Sequence, residues 1–288
     1  MRRAVPLWLL GLLLVLVSGC GVDQHQAPAP RPTYHRYVAL GDTFTAAPYT
    51  GTTKRAHGCH RSTANYPTQL ADALGARLTD VSCDGADTSS VRKRQHLGKH
   101  RVAPQLDAVH RDTQLVTISL GSNDDNLFTL IGKACGPAGA GCLMERYEPA
   151  LLRLIDPIRQ SLDDAIRAVQ DKAPDARIVV VGYPRHVAAK QTCKAQPKMS
   201  KADRKAWLEV DQALDLAVSR SARDTGADFI DVYAASKGHG ICAKEPWVRG
   251  ERTHKKPGKH GGVAFGPTAA EQSAVAAMIR SELKTQSD

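Results

Sequence analysis

The sequence predicts an α/β fold, a three-layer α/β/α sandwich around a central, mostly five-stranded parallel sheet. Short runs of apolar and β-branched residues alternate with longer segments whose apolar residues recur at helical spacing, and this alternation is typical of a parallel sheet covered by helices. The run Leu115–Leu120 is almost continuously apolar, as expected for a central strand buried on both faces. Without the N-terminal segment, about 255 residues remain and contain no internal repeat, which suits one domain.

The elements follow one another in a regular order. The predicted strands are Tyr37–Leu40, Leu78–Ser82, Leu115–Leu120, Ile178–Gly182 and Phe229–Val232. The predicted helices are Pro67–Leu74, Glu148–Lys172, Ala202–Thr225 and Pro267–Leu283. Right-handed crossovers between parallel strands place the carboxyl ends of all strands on one rim of the sheet. Ligands and nucleophiles of open α/β sheets lie at that rim.

The N-terminus has the features of an export signal. Arg2 and Arg3 precede an apolar run, Leu7–Val17, that is too short to span a bilayer comfortably. The run ends in Val17-Ser18-Gly19-Cys20, which resembles a bacterial lipobox and implies cleavage before Cys20 and a lipid on its sulfur. We therefore expect a signal peptide over residues 1–19, a lipidated tether over 20–33 and a domain over 34–288, anchored on the outer face of the cytoplasmic membrane. An ordinary secretory signal with an incidental cysteine is the alternative.

The remaining cysteines also point to export. Of seven cysteines, all but Cys20 lie in the predicted domain, and an even number in an exported chain indicates disulfides whose pairing the sequence leaves open. A zinc site is the competing interpretation, but no Cys-x-x-Cys pair is present. We expect neither a metal nor an organic cofactor.

The chain is strongly basic, with a formal charge of +10 and an isoelectric point near 9.3. Two runs, residues 92–101 and 249–260, concentrate this charge. For an exported protein we expect an anionic lipid or envelope polymer, not nucleic acid, as the partner of these loops. The alternative is that both runs are solvated loops that aid solubility. We expect a monomer.

Three motifs fall at the predicted rim. Gly41-Asp42-Thr43 follows the first strand and supplies a hydroxyl. Ser82-Cys83-Asp84-Gly85-Ala86 follows the second strand and offers the Gly85 backbone N–H. Gly121-Ser122-Asn123-Asp124 follows the third strand, and Asn123 offers either a side-chain amide to a ligand or a cap to the next helix. Aimed donors of this kind stabilise the oxyanion that forms during acyl transfer.

Together these motifs resemble the SGNH (GDSL) family of esterases and lipases, and the resemblance extends over most of the predicted domain. It implies an ester-hydrolase fold with a nucleophile at position 43 and an oxyanion hole of the Thr43 and Gly85 N–H groups and Asn123, with acyl esters or other small ligands in a groove. It implies a structural role for Asp42 and, in some relatives, a backbone carbonyl beside a tryptophan, here Trp247, that orients the catalytic histidine. It also implies the disulfides Cys59–Cys83, Cys135–Cys142 and Cys193–Cys242.

Two catalytic positions depart from the family pattern. Thr43 stands where the family has serine, and Gly266 stands where a stretch resembling Phe-His-Pro-x-Ala-Ala-x-Gln has the histidine. Because an alcohol is a weak nucleophile without a base, we expect ordinary ester hydrolysis to be lost or much reduced. The alternatives are an active esterase that uses His254 or His260 as the base, and a basic scaffold protein that binds the envelope. His186, after the fourth strand, is expected to line a pocket wall.

Overall fold

The computed structural model describes residues 33–54, 56–135, 141–251 and 262–285. Its central sheet contains five parallel strands in the order β4-β1-β7-β8-β9, which confirms the predicted α/β architecture. These strands are β1 Arg36–Gly41, β4 Arg77–Asp80, β7 Leu115–Ser119, β8 Arg177–Val181 and β9 Asp228–Ile230. Two short antiparallel hairpins lie outside the sheet: β2 Thr53–Lys54 with β3 Arg61–Ser62, and β5 Gln95–Leu97 with β6 His100–Val102.

Helices cover both faces of the sheet. They are α1 Thr43–Ala46, α2 Tyr66–Leu74, α3 Leu127–Ala134, α4 Met144–Leu152, α5 Ile155–Lys172, α6 Lys201–Thr225, α7 Val232–Ala235 and α8 Ala269–Thr285. Alternate residues of β1 enter opposite cores, since Val38 and Leu40 belong to the core beneath α3, α5 and α6. Tyr37 and Ala39 belong to the core beneath α2 and α8. The period of two in a strand thus builds the three layers.

The strand predictions are confirmed to within two residues at each end. All five residues of β7 are buried, as the almost continuously apolar run predicts. Parallel pairing in register, for example Leu40 with Ile118, brings the carboxyl ends of β1, β4 and β7 to the same rim.

The predicted single helix over Glu148–Lys172 is wrong. The structure contains two helices there, α4 and α5, separated by a turn at residues 153–154. Pro157 explains the break, because a proline ring in a continuous helix clashes with the carbonyl four residues earlier, here that of Arg153. In the first turn of α5 the proline is tolerated, since the N–H it lacks has no partner there.

The structure pairs Cys59 with Cys83, Cys135 with Cys142 and Cys193 with Cys242, the pairing that the family resemblance implies. The first of these bridges joins the segment before α2 to the loop after β4, and so fixes one side of the rim. Among the residues that the structure describes, no helix is long and apolar enough to cross a membrane.

Candidate active site

The end of β1 places Thr43 at the rim. Asp42 caps α1, its side chain accepting the Phe44 N–H at 2.8 Å. Thr43 is therefore the first residue of α1, and it is 4% exposed. Position 41, at the end of β1, tolerates only glycine, because a Cβ there would lie 2.0 Å from the Thr45 hydroxyl oxygen. Local packing thus fixes where the Thr43 hydroxyl emerges.

Asp42 connects three strand ends. Its buried carboxylate accepts hydrogen bonds from the Ser122 hydroxyl at 2.6 Å and the Tyr183 hydroxyl at 2.7 Å. Burial raises the pKa of Asp42 to about 6, although these hydrogen bonds favour the ionised form. With these partners Asp42 organises the loops and is not open to a substrate.

The Thr43 hydroxyl has two partners, and both lie in the loop after β4. It donates a hydrogen bond to Asp84 Oδ1 at 2.8 Å, and its oxygen accepts the Gly85 N–H at 3.0 Å. Gly85 adopts φ 73°, which favours glycine because it has no Cβ. The structure thus brings Thr43 and Gly85 together as the sequence predicted, and it adds Asp84, a partner to which sequence reasoning gave no role.

The loop after β7 completes this part of the rim. The Asn123 side-chain amide donates to the Ala86 carbonyl at 2.9 Å and makes no capping bond to the following helical turn. Asp124 accepts hydrogen bonds from both the N–H and the hydroxyl of Thr88. Burial raises the pKa of the Asp124 carboxyl to about 6. These contacts hold the second and third rim loops together and keep Asn123 beside Gly85.

At Gly266 both backbone groups are hydrogen-bonded, and Val263 leaves no space for a side chain. Its N–H donates to the Val263 carbonyl at 3.1 Å, and its carbonyl accepts the Arg249 N–H at 2.9 Å. A Cβ at this position would lie 2.4 Å from Val263 Cγ2. The Trp247 carbonyl, which the family resemblance assigns to orienting a histidine, accepts the Thr268 N–H at 3.0 Å. Val263 therefore occupies the space next to the vacant histidine position.

The first turn of α8 connects this region to α1. The Gln272 side chain donates to the Phe44 carbonyl at 2.7 Å and accepts the Tyr66 N–H at 2.7 Å. Glu271 beside it is 2% exposed. Burial, and to a lesser extent the Asp42 carboxylate, raises the pKa of Glu271 to about 8. Glu271 and Gln272 belong to the family-like stretch around Gly266, but the sequence assigns no role to them, because buried polar residues at a helix start follow no periodic pattern.

The predicted alternative bases, His254 and His260, lie outside the described residues. Within the described part of the chain, no imidazole forms a hydrogen bond with the Thr43 hydroxyl. His186 lines an apolar recess with Phe44 and Phe128, as predicted for a pocket wall, and its Nδ1 lies 2.8 Å from Asp211 Oδ1. His60 instead lies beside Asp84, with Nδ1 3.7 Å from Oδ2.

A cavity of about 440 Å³ opens beside Asp84. It is lined by Gly58, His60, Asp84, Leu97, Gly98 and His100. Leu97, Gly98 and His100 belong to the β5–β6 hairpin, so the basic run of residues 92–101 forms one wall of this cavity. Among the described residues, no group of three or more His, Cys, Asp or Glu side chains could hold a metal ion.

The fold and this rim define a class of α/β proteins that present a hydroxyl, backed by backbone N–H donors, at the end of the first strand. Comparison with known proteins identifies the class. A model of the GDSL-like lipase/acylhydrolase family matches residues 39–257. The chain belongs to this family, whose members are also called SGNH hydrolases.

Relatives within the family are lipases of Streptomyces. The chain is 36% identical over 228 residues to Lipase 2 of Streptomyces coelicolor, covering 76% of each protein. It is similar to the crystal structure of phospholipase A1 from Streptomyces albidoflavus, with a TM-score of 0.71, 28% identity and coverage of 86% of this chain and 99% of that one. An extracellular lipase from Streptomyces rimosus gives a TM-score of 0.70 at 28% identity, covering 85% of this chain and 98% of that one. The fold and an esterase- or lipase-like ancestry are thereby established.

Proposed function

We propose that this protein is an exported, lipid-anchored SGNH-fold protein that binds acyl esters and hydrolyses them far more slowly than members with serine and histidine at the two catalytic positions. One observation carries the proposal: the Thr43 hydroxyl donates to a carboxylate, Asp84, and not to an imidazole. Loss of the base from a nucleophile–base pair can cost ~10⁶ in rate. The γ-methyl of threonine adds crowding around the attacking oxygen and restricts its rotamer.

The vacant histidine position supports the same proposal. Gly266 has no side chain, and Val263 fills the adjacent space. Valine is β-branched and stiff about χ1, so it cannot easily move aside for an imidazole. The sequence change removes the histidine, and Val263 also blocks the space that a histidine side chain at position 266 would need.

The retained donors support ester binding. Thr43 is the first residue of α1, and the first N–H groups of a helix have no partner within the helix. The Gly85 N–H points at the Thr43 oxygen, so a carbonyl oxygen of a bound ester would compete for the same donor. One N–H of the Asn123 side-chain amide donates to the Ala86 carbonyl, and the amide has a second N–H that can donate to a ligand. In this proposal the three groups form the oxyanion hole of a slow hydrolase.

The basic hairpin supports an anionic partner. Arg92, Lys93 and Arg94 directly precede the β5–β6 hairpin, Lys99 and Arg101 lie on it, and all five are exposed. The hairpin forms one wall of the cavity beside Asp84. Cations near a membrane surface contribute about 1 kcal/mol each to binding anionic lipids. We propose that the ligand combines an acyl ester with an anionic lipid or envelope polymer. Of the second basic run, only residues 249–251 are described.

Export and anchoring rest on the sequence, because Cys20 and the signal segment lie outside the described residues. Three disulfides and the similarity to an extracellular lipase support an oxidising compartment. The lipobox-like Val17-Ser18-Gly19-Cys20 supports a lipid anchor.

The central experiment measures hydrolysis of short-chain nitrophenyl esters by four proteins: wild type, Thr43→Ala, Val263→Ala, and the triple variant Thr43→Ser/Gly266→His/Val263→Ala. The Val263 change makes room for the histidine and serves alone as the matched control. We expect the triple variant to exceed wild type by at least ~10², the smaller contribution that a general base makes. Val263→Ala alone should match wild type.

Wild-type turnover equal to that of the triple variant would contradict the proposal. If His254→Ala or His260→Ala then abolished that turnover, the protein would be an active esterase with a relocated base. If the triple variant were inert while anionic vesicles still bound wild type and Asn123→Ala equally, the scaffold function would be favoured.

A further inference from the structure

The contact between Thr43 and Asp84 has a direct chemical use. We propose that Asp84 is the general base of this protein, accepting the Thr43 proton when the hydroxyl attacks an acyl ester. The inference rests on the proposed function, because it assigns the mechanism of the slow hydrolysis at the same rim. It differs from a relocated histidine base in that the proton acceptor is a carboxylate in direct contact with the nucleophile.

The geometry fits proton transfer. The distance of 2.8 Å from Thr43 Oγ1 to Asp84 Oδ1 lies within the range required of a general base. On the other side the Gly85 N–H reaches the same oxygen at 3.0 Å. The hydroxyl proton is therefore directed at the carboxylate, while a donor for the developing oxyanion lies in the adjacent residue.

The second oxygen of the carboxylate has an imidazole neighbour. His60 Nδ1 lies 3.7 Å from Asp84 Oδ2, with the two side chains 32% and 28% exposed. The His60 ring packs against the Tyr49 ring at a centroid distance of 5.9 Å. The Asp84 carboxylate thus contacts the Thr43 hydroxyl through Oδ1 and has the His60 imidazole near Oδ2. In a Ser-His-Asp triad the imidazole occupies the middle place and takes the proton. Here His60 is a positioning residue.

There is also room for a substrate. The cavity of about 440 Å³ is lined by Asp84 and His60, and Asp84 accepts the hydrogen bond of the Thr43 hydroxyl. A leaving alcohol in this cavity would be beside the group that must return a proton to it. The same cavity is walled by the basic hairpin, which is where the proposed anionic part of the ligand would bind.

The step balances without any further reactant. Thr43 Oγ1 forms a bond to the acyl carbon, its proton moves to Asp84, and the ester C–O bond breaks as the leaving oxygen takes that proton. Water then attacks the acyl-threonine and gives a proton to Asp84, which returns it to Thr43 Oγ1 as the acid leaves. The sum is one ester and one water converted to one acid and one alcohol.

The test compares Asp84→Asn with Thr43→Ala, the double variant Thr43→Ala/Asp84→Asn and wild type. Asparagine keeps a carbonyl oxygen that can accept the Thr43 hydrogen bond but cannot take up the proton at neutral pH. Asp107→Asn, an exposed aspartate in the segment after the hairpin, is the matched control. Each protein is mixed with p-nitrophenyl acetate, the release of nitrophenol is followed, and acyl-Thr43 is quantified by peptide mass spectrometry.

We expect Asp84→Asn to lower the rate of Thr43 acylation by at least ~10², the lower end of general-base contributions. The double variant should be no slower than Thr43→Ala, since residues that act as a unit are not additive. Asp84→Glu, which keeps a carboxylate, should recover part of the rate. A role that needs only a hydrogen-bond acceptor would instead be preserved in Asp84→Asn.

The pH profile provides a second readout. A base must be unprotonated, so acylation by wild type should decline at acidic pH. Asp42 and Asp124, which hold the rim loops and have a pKa of about 6, titrate in both proteins, so Asp84→Asn should lose only the part of the decline that comes from Asp84. The other titratable residues that line the cavity are His60 and His100, so the profile is repeated in His60→Asn and His100→Asn. The acidic decline should persist in both variants.

Acylation that is unchanged in Asp84→Asn would overturn the inference, as would wild-type acylation no faster than that of Thr43→Ala. The first result leaves the proposed function untouched, because that function depends on the comparison of wild type with the triple variant. The second result would also remove Thr43 as the nucleophile of the slow hydrolysis. Conversely, fast wild-type turnover that depends on Asp84 would support the inference and contradict slow hydrolysis.

Discussion

Replacement of Glu271 by glutamine should make stability less sensitive to pH. Burial raises the pKa of Glu271 from 4.5 to about 8, despite the hydrogen bond that Gln272 donates to it and with a contribution from the Asp42 carboxylate. Between these two pH values the folded protein holds a proton that the unfolded chain has released. The folded state therefore binds more protons, and the free energy of unfolding falls as pH rises toward 8.

The magnitude follows from the pKa. One pH unit corresponds to about 1.4 kcal/mol while the folded carboxyl stays protonated and the unfolded one is ionised. From pH 6 to pH 8 the loss through Glu271 is about 2 kcal/mol, because the slope decreases as pH approaches the folded pKa. Glutamine is neutral throughout and can still accept the hydrogen bond from the Gln272 amide. From pH 6 to pH 8 the free energy of unfolding of Glu271→Gln should therefore fall by about 2 kcal/mol less than that of wild type.

The assay is urea unfolding of wild type and Glu271→Gln at pH 6, 7 and 8. The other buried carboxyls are present in both proteins, so their contributions largely cancel in the difference; burial raises the pKa of Asp42 and Asp124 to about 6 and that of Asp215 to about 7. Glu145→Gln, at an exposed glutamate, controls for the loss of one carboxylate. Parallel pH trends for wild type and Glu271→Gln would refute the reasoning and indicate that Glu271 is ionised in the fold.

Two further predictions concern the membrane. Cys20→Ala should remove incorporation of radiolabelled palmitate and move the protein from the detergent phase to the aqueous phase of a Triton X-114 partition. A wild type that carries no label would contradict lipid anchoring. Replacing Arg94, Lys99 and Arg101 together by glutamine should weaken binding to anionic vesicles by ~10² or more, since each cation contributes about 1 kcal/mol. Wild-type vesicle binding that does not change with salt would contradict an electrostatic partner site.

The sequence predicts the layers of this fold because burial leaves a periodic trace. Leu115–Leu120 is almost continuously apolar because β7 is covered on both faces. The break between α4 and α5 leaves no such trace. Leu151, Ile155 and Ile158 remain buried across the turn, so the helical spacing of apolar residues continues while the backbone does not. Pro157 was the available signal.

At the site, topology predicts which loops meet but not which side chains pair. Thr43, Gly85 and Asn123 approach each other because β1, β4 and β7 are adjacent and parallel. The hydrogen bond from Thr43 to Asp84 depends on the left-handed backbone at Gly85 and on the rotamers of the Thr43 and Asp84 side chains. Neither leaves a pattern in the sequence, although an acidic residue directly before the predicted N–H donor was visible. Gln105, which binds both the N–H and the carbonyl of Gly41 through its amide, was equally hidden.

Val263 hinders the restoration of serine–histidine catalysis, because it fills the space next to position 266. Any side chain at position 266 meets Val263 Cγ2, and inserting atoms into a packed site typically costs about 1–3 kcal/mol. Gly266→His alone would therefore destabilise the protein without placing an imidazole beside Thr43. Thr43→Ser alone would leave the serine hydroxyl donating its hydrogen bond to Asp84. Neither single reversal provides an accessible imidazole, so a variant of Thr43 and Gly266 that kept Val263 would underestimate the activity that the scaffold can support. For this reason the comparison with the triple variant is decisive: it separates a rim that has lost the donors for acyl transfer from one that lacks only an accessible imidazole.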